Sequence, residues 1–273
     1  MSRTYVITGA ASGIGLGTRK LLESRGEKVI GVDLAGSDID ADLATQESRE
    51  ALPGLVERLA GDGGIDAVLA VAGVASFNAL TVRVNYFGAV ATLESLRPLL
   101  TRSESPRAAI VASFATLQDN DPELVEAMLA GDEPRAAQIA DRLAEADAKH
   151  LIYSSSKRAI AEWMRTASIS DEWAGAGIPL NGVGPGVVVT GMTRPYLETA
   201  EGRASLLGGV PMPLHGPSEP DAIAGVLAYL TSAENTHVTG QVVFADGGAE
   251  ATVRGPHVFD GAVSDQVVLP SLD

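Results

Sequence analysis

The stretch from Thr4 to Asp33 constrains this chain more than any other. Tyr5-Val6-Ile7 is an apolar run of strand length, and Gly9, Gly13 and Gly15 follow it directly. Ile14, Leu21 and Leu22 then recur at helical spacing, and Gly26 ends the helix. Val29 to Val32 make a second apolar strand with Asp33 at its end. A strand, a glycine turn, a helix and another strand predict an α/β chain of Rossmann-like type. The expected architecture is a doubly wound parallel sheet with helices on both faces, three layers in α/β/α order.

The glycines carry a chemical meaning. Backbone without side chains can approach a pyrophosphate, and the helix that follows aims free N–H groups and the positive end of its dipole at the anion. Gly9, Ser12, Gly13, Ile14 and Gly15 are therefore candidate cofactor-binding residues. Asp33 lies where a carboxylate can accept a hydrogen bond from a ribose 2′-hydroxyl and repel a 2′-phosphate. No Lys or Arg stands within the loop, so NAD is favoured over NADP. Arg19 and Lys20 come later on the helix and read as solvated. The bland alternative is a βαβ turn that binds nothing.

Composition narrows the remaining classes. Lys plus Arg number 20 against 35 for Asp plus Glu, a net charge of −15. That argues against nucleic acid and anionic membrane surfaces as partners. The absence of cysteine excludes disulfides, a thiol nucleophile and a Cys-ligated zinc. His150, His215, His237 and His257 are scattered without ligand spacing, so no metal site is expected. No apolar run approaches membrane-spanning length and no signal-peptide pattern opens the chain, so the expected compartment is the cytoplasm. A length of 273 residues suits one catalytic domain over 1–273.

Further along, Asp42-Leu43 falls where a dinucleotide fold passes the adenine. The aspartate can reach the exocyclic amine or serve as a helix N-terminal acid. Residues 45–60 read as a surface helix disturbed at Pro53-Gly54. Ile65 to Val71 reads as a strand buried on both faces, ending at Ala72-Gly73, where backbone passes close to a cofactor. Ala79 to Leu100 has the spacing of one long helix containing Asn85, and Gly88 permits a kink or close packing. Ala108 to Ala112 is the next strand, with Ser113 at its carboxyl end, the edge at which open α/β sheets bind ligands.

Residues 117–150 break the strand–helix alternation. Asp121-Pro122 and Asp132-Glu133-Pro134 start two helices, the first with Leu124, Val125, Met128 and Leu129 on its apolar face. This helical insert between the Ser113 strand and the next helix is expected to wall a substrate pocket, to alter oligomer contacts, or both. Tyr153 to Trp173 is a helix and Ile178 to Val183 a strand. Residues 191–217, rich in Gly and Pro, suit a lid with an apolar underside. Ser218 is the expected cap of a helix running to about Leu230, and Gln241 to Ala245 is the last strand. The tail, 249–273, has no clear period, and its valines and Phe259 point to a packed partner such as a second subunit. Phe114, Met128, Gly186, Met192 and Tyr196 are the candidate substrate-pocket residues.

Asn85, Ser113, Tyr153 and Lys157 form the candidate catalytic set. A free phenol with a pKa near ~10 is too weak an acid to act as a base at neutral pH. Lys157, one helical turn from Tyr153, favours the phenolate, as does the positive ring of oxidised nicotinamide. Tyr153 then gives or takes the proton of an alcohol oxygen, Ser113 holds that oxygen, Lys157 also binds the nicotinamide ribose, and Asn85 orders a water that relays the proton. The neighbouring Tyr86 reads as core, and Ser154 to Ser156 as small packing or capping residues.

With these residues in place the chain resembles the short-chain dehydrogenase/reductase family. Thr8-Gly-Ala-Ala-Ser-Gly-Ile-Gly15 is similar to its cofactor motif, and Asn85, Ser113, Tyr153 and Lys157 to its catalytic tetrad. Pro185-Gly-Val-Val-Val-Thr190 is similar to the segment that meets the nicotinamide carboxamide, which implies contacts from Val188 and Thr190. The likeness runs from residue 3 to about 248. Ala70-Val-Ala-Gly73 departs from the family's Asn-Asn-Ala-Gly, and the helical insert lengthens the interval from Ser113 to Tyr153. The insert, Ala41-Asp-Leu43, Val84-Asn-Tyr-Phe-Gly88 and the tail are similar to the bacterial 3α-hydroxysteroid dehydrogenase/carbonyl reductase branch. The resemblance implies an NAD-dependent enzyme that interconverts a secondary alcohol and a ketone, on a bulky hydrophobic alicyclic substrate. It also implies a homodimer or homotetramer. Terpene or aryl alcohols and ketones are the alternative substrates. A non-catalytic NAD-sensing protein is the alternative of another class, and the complete tetrad argues against it.

Overall fold

A computed structural model describes residues 2–260. In chain order it contains β1 (Thr4–Thr8), α1 (Gly13–Ser24), β2 (Lys28–Asp33), β3 (Ile39–Asp40), α2 (Gln46–Ala60), β4 (Ala67–Ala70), α3 (Ala79–Val82) and α4 (Ala89–Leu100). There follow β5 (Arg107–Val111), α5 (Pro122–Leu129), α6 (Glu133–Glu145), α7 (His150–Ala167), β6 (Leu180–Pro185), α8 (Arg194–Leu197), α9 (Ala200–Gly209), α10 (Pro220–Leu230), β7 (Val242–Ala245) and α11 (Ala249–Arg254). The strands form one parallel sheet in the order β3-β2-β1-β4-β5-β6-β7. The order reverses between β1 and β4, which opens a crevice at the carboxyl ends of the strands.

Alternation along the strands explains the three layers. Val6, Val68, Ala70, Ala108 and Ile110 face one side, packed with residues of α2, α4, α5, α6 and α7. Tyr5, Ile7, Ala67, Leu69 and Ala109 face the other, packed with Leu22 of α1 and with Ile223, Leu227 and Leu230 of α10. Successive side chains point to opposite faces of a strand, so strands covered on both faces must be apolar at nearly every position.

Several elements differ from the sequence reading for identifiable reasons. Pro53 lies inside α2 without ending it. The helix survives one missing hydrogen bond because Leu52 and Val56, both fully buried, fix that turn to the core. The run from Ala79 to Leu100 is helical throughout but passes through a π-helical turn at Arg83–Gly88. Gly88 serves close packing there, since a Cβ would lie 3.1 Å from Leu43. Ser218 caps nothing: α10 starts after Glu219 with Pro220 in its first turn. Ser218 instead bridges by backbone to Val187 and Val189, and its hydroxyl is buried without a partner.

The insert, α5 and α6, packs on α7, α3 and the π-helical turn. Met128 is fully buried in the core there and does not reach the crevice. In the tail, Ala249 is buried, whereas Phe259 is 87% exposed and does not pack within this chain. The valines of the tail after residue 260 lie outside the described residues.

Candidate active site

The glycine loop needs bare backbone in three dimensions. Gly9 has φ +71 and Gly13 φ +49, in the left-handed region that side chains disfavour. A Cβ on Gly9 would fall 2.9 Å from the Cα of Ala72, and one on Gly15 would fall 2.0 Å from the carbonyl oxygen of Gly9. Only glycine lets β1, α1 and the end of β4 meet this closely. Ser12 stands before α1 without making a side-chain cap, and no acidic residue occupies the first turn. The first N–H groups of α1 thus remain available to an anion.

Asp33 completes the loop. Its carboxylate accepts hydrogen bonds from Ala11 N (2.9 Å) and Leu34 N (2.8 Å), which pins it at the rim and leaves acceptor capacity on both oxygens. The cradle and the fixed carboxylate fit the pyrophosphate and adenine ribose of a dinucleotide. Asp42 is exposed, and its carboxylate accepts from Ala44 N at 2.9 Å, in the turn before α2. The side chain of Leu43 is buried in the core. Arg19 is partly exposed and pairs with Glu23 and Asp38, whereas Lys20 is exposed.

A groove of about 380 Å³ runs from this loop across the carboxyl ends of β1, β4, β5 and β6. Gly9, Ser12, Gly13, Ile14, Gly15, Gly73, Ser113, Tyr153, Lys157, Gly186, Val188, Thr190 and Met192, all singled out in the sequence, line it. Val71, Val111, Ala112, Pro185, Gly191 and Thr193 also line it and were not singled out. Phe114 is buried, and Tyr196 sits half-exposed on α8; neither lines the groove. Across from the glycine loop, the Thr190 methyl lies 3.3 Å from where a Gly13 Cβ would be. Thr193 braces this wall: its hydroxyl accepts from Thr190 N at 3.0 Å and donates to the Val188 carbonyl.

Two threads of hydrogen bonds build the floor without the family's asparagines. The Thr8 hydroxyl oxygen accepts from Val71 N (3.0 Å) and Ala72 N (3.1 Å), which fixes the end of β4 to β1. Asn85 accepts from Val74 N (2.8 Å) and donates to Val74 O (2.9 Å) and the Ser156 hydroxyl (3.1 Å). Both amide donors are spent on protein, so this side chain clamps the loop after Gly73 onto α7. The serines next to Tyr153 fasten the insert. Ser154 donates to Asp119 O, and Ser155 accepts from Asp121 N at 2.9 Å.

Tyr153 and Lys157 lie one turn apart on α7, with the Lys157 Nζ 5.8 Å from the Tyr153 ring centroid. The ammonium donates to Val111 O at 2.8 Å and is 4% exposed. Burial pushes the Lys157 ammonium down to about 8. Burial pushes the Tyr153 phenol up, opposed in part by a hydrogen bond with Ser113. The two pKa values are therefore driven apart in the protein alone, each group toward its neutral form, and the phenol is protonated at neutral pH. Ser113 itself caps the turn after β5 by accepting from Ala115 N at 3.1 Å. Among the described residues no group of three or more His, Cys, Asp or Glu could hold a metal ion. No helix among them is long and apolar enough to cross a membrane.

Comparison with known proteins agrees with this geometry. Residues 136–250 match the family model described as Enoyl-(Acyl carrier protein) reductase. The chain is 32% identical over 256 residues to the 3-alpha-hydroxysteroid dehydrogenase/carbonyl reductase of Comamonas testosteroni, covering 91% of this chain and 97% of that one. It is 28% identical to the 2-(R)-hydroxypropyl-CoM dehydrogenase of Xanthobacter autotrophicus, covering 90% and 98%. Among solved structures, the 3-alpha-hydroxysteroid dehydrogenase from Pseudomonas sp. B-0831 complexed with NADH superposes with a TM-score of 0.83. That match has 38% identity and covers 93% of this chain and 99% of that one.

Proposed function

The chain belongs to the short-chain dehydrogenase/reductase family, and from that premise we propose that its substrate is a bulky hydrophobic alicyclic alcohol or ketone of the 3α-hydroxysteroid type. It is an NAD-dependent oxidoreductase acting on a secondary alcohol–ketone pair. The observation that carries the reading is the convergence of Ser113, Tyr153 and Lys157 on the same groove as the glycine cradle. The apolar wall beside them, with Pro185, Gly186, Val188 and Met192, supports a hydrophobic ring system.

The bound nicotinamide supplies hydride transfer. In this reading, the chain's own residues handle the proton. During ketone reduction the Tyr153 hydroxyl donates to the carbonyl oxygen as that oxygen gains charge, while the Ser113 hydroxyl donates a second hydrogen bond to it. In alcohol oxidation the same phenol, as phenolate, takes the proton. The Lys157 ammonium, anchored to Val111 O, favours that phenolate and offers its remaining donors to the nicotinamide ribose. Asp33 accepts from the adenine ribose and excludes a 2′-phosphate. The same reading treats the chain as a single cytoplasmic catalytic domain that assembles as a homodimer or homotetramer, which fractionation and light scattering test.

Two measurements test the chemistry and the substrate. Tyr153→Phe lowers kcat by roughly 10²–10⁴-fold while the NADH dissociation constant stays within twofold of the parent, on the scale of general acid–base catalysis. Near-normal turnover in that variant refutes the mechanism. A panel of 3α-hydroxysteroids, terpene alcohols and aryl alcohols, followed by NADH formation, should rank the steroids first in kcat/KM. Preference for a small aryl alcohol refutes the substrate assignment.

A further inference from the structure

We propose that Arg19 is a latent ligand for a 2′-phosphate, and that Asp38, together with Glu23, maintains NAD selectivity by keeping that guanidinium occupied. The proposal rests on the reading of Asp33 as the residue facing the adenine ribose. It assigns selectivity to a set of carboxylates rather than to Asp33 alone.

The placement of Arg19 follows from the sheet. Gly31 and Asp33 are alternate residues of β2, so their side-chain directions share one face, the face covered by α1. The space where a Gly31 Cβ would lie is taken by Arg19, whose Nη1 is 2.7 Å from that point. The guanidinium therefore sits on the same face as the Asp33 carboxylate, one strand repeat, roughly 6.6 Å, further back. An arginine side chain spans that interval by changing rotamer.

In this structure it is held back. Its Nη1 lies 3.1 Å from Asp38 Oδ2 and its Nε 2.8 Å from Glu23 Oε1, and the side chain is 23% exposed. Asp38 Oδ2 also accepts from Gly31 N at 2.7 Å. The pairing of β2 with β3 begins only at Val32, so the Asp38 carboxylate stands in for the missing ladder partner at Gly31. One carboxylate thus closes the sheet edge and ties down the nearest cation. Arginine forks suit phosphate, and this cation is withheld from the place a 2′-phosphate would occupy.

The test is a series of variants read by equilibrium binding. Asp33→Ser removes the repelling carboxylate. Asp33→Ser/Asp38→Asn/Glu23→Gln also removes both carboxylates that hold Arg19, while the Asn amide oxygen keeps an acceptor for Gly31 N. Arg19→Gln added to that background then deletes the cation. The probes are adenosine 2′,5′-bisphosphate and adenosine 5′-monophosphate by calorimetry, and NADPH and NADH by tryptophan fluorescence. The variant lacking both partner carboxylates should bind the bisphosphate about tenfold tighter than Asp33→Ser, on the scale of a charge-assisted hydrogen bond. That gain should weaken with salt and vanish when Arg19→Gln is added, with monophosphate affinity constant across the series. An unchanged bisphosphate affinity on adding Asp38→Asn and Glu23→Gln, or a gain that persists without Arg19, overturns the proposal. Failure of the parent protein to bind monophosphate and NADH overturns the dinucleotide reading beneath it, a distinct result.

Discussion

Asn85 is where structure and chemistry can be separated most cleanly. Asn85→Ala deletes three hydrogen bonds, one buried and two partly buried, and leaves the N–H and C=O of Val74 without partners. At about 1 kcal/mol for each bond, the loss is about 3 kcal/mol before any desolvation penalty for Val74. For a chain of this size each kcal/mol lowers Tm by roughly 2–4 °C, so a fall of about 6–12 °C is expected. Ser156→Ala deletes only the bond from Asn85 and the one its hydroxyl donates to Tyr153 O, and should cost about 2 kcal/mol. The two changes share a bond, so the double variant should be more stable than their sum by at least about 0.5 kcal/mol. Asn85→Asp is the sharper probe: it keeps the shape but loses both donors and buries a carboxylate against Val74 O. Urea titration with a shared m-value gives the free energies. NADH affinity should fall alongside, because Asn85 Oδ1 lies 3.3 Å from where a Gly73 Cβ would be and so borders the floor of the groove. An Asn85→Ala protein that unfolds within a degree of the parent, or a cycle that closes additively, refutes the clamp.

Three further outcomes are expected. Gly9→Ala should abolish NADH binding by calorimetry, since the new methyl must displace Ala72 and the backbone must hold φ +71; retained affinity would mean the cradle is not tight. Lys157 should leave a signature in stability against pH. Its ammonium titrates at about 8 when folded and at 10.5 when free, so the unfolded chain holds more protons between those values. This group's contribution is then full above 10.5 and is lost as pH falls through about 8. The unfolding free energy of the parent minus that of Lys157→Met should therefore climb by up to about 3 kcal/mol across that window, and a flat difference sinks the assignment. Gln118 donates to Gly209 O at 3.2 Å and ties α9 to the segment after Ser113. Gln118→Leu should speed tryptic cleavage after Arg203 several-fold and raise KM for bulky substrates more than it lowers kcat; unchanged cleavage would show that the lid does not depend on this tether.

What could be read from residues alone was whatever depends on local period. Tyr153 and Lys157 meet because four residues make a turn, and Asp33 and Ser113 stand at strand ends because the apolar runs stop there. Contacts between distant segments carried no such mark. Thr8 looked like the last residue of a strand. Its role emerges only when β1 lies beside β4 and its hydroxyl oxygen meets the N–H groups of Val71 and Ala72. Met212 is another case: its sulfur accepts from Val187 N at 3.2 Å, which joins the stretch before α10 to the wall of the groove beside Gly186 and Val188. Periodicity said that Met128 faces inward but not toward what, and the partner proved to be the core beneath the insert. The three serines beside Tyr153 look like filler, yet two of them hold the start of the insert and the third holds Asn85.

The electrostatics were legible in sign only for the bound state. An amine one turn from a phenol predicts an acidic phenol, and that prediction omits what burial does to both groups. In the protein alone desolvation works on each in the direction of neutrality, raising Tyr153 and lowering Lys157. The Lys157 ammonium is held by a backbone carbonyl rather than by a carboxylate. No fixed negative charge therefore competes with the phenolate for it. A carboxylate in place of Val111 O would secure the lysine more firmly and spoil the base, because the ammonium's field would be cancelled where Tyr153 needs it.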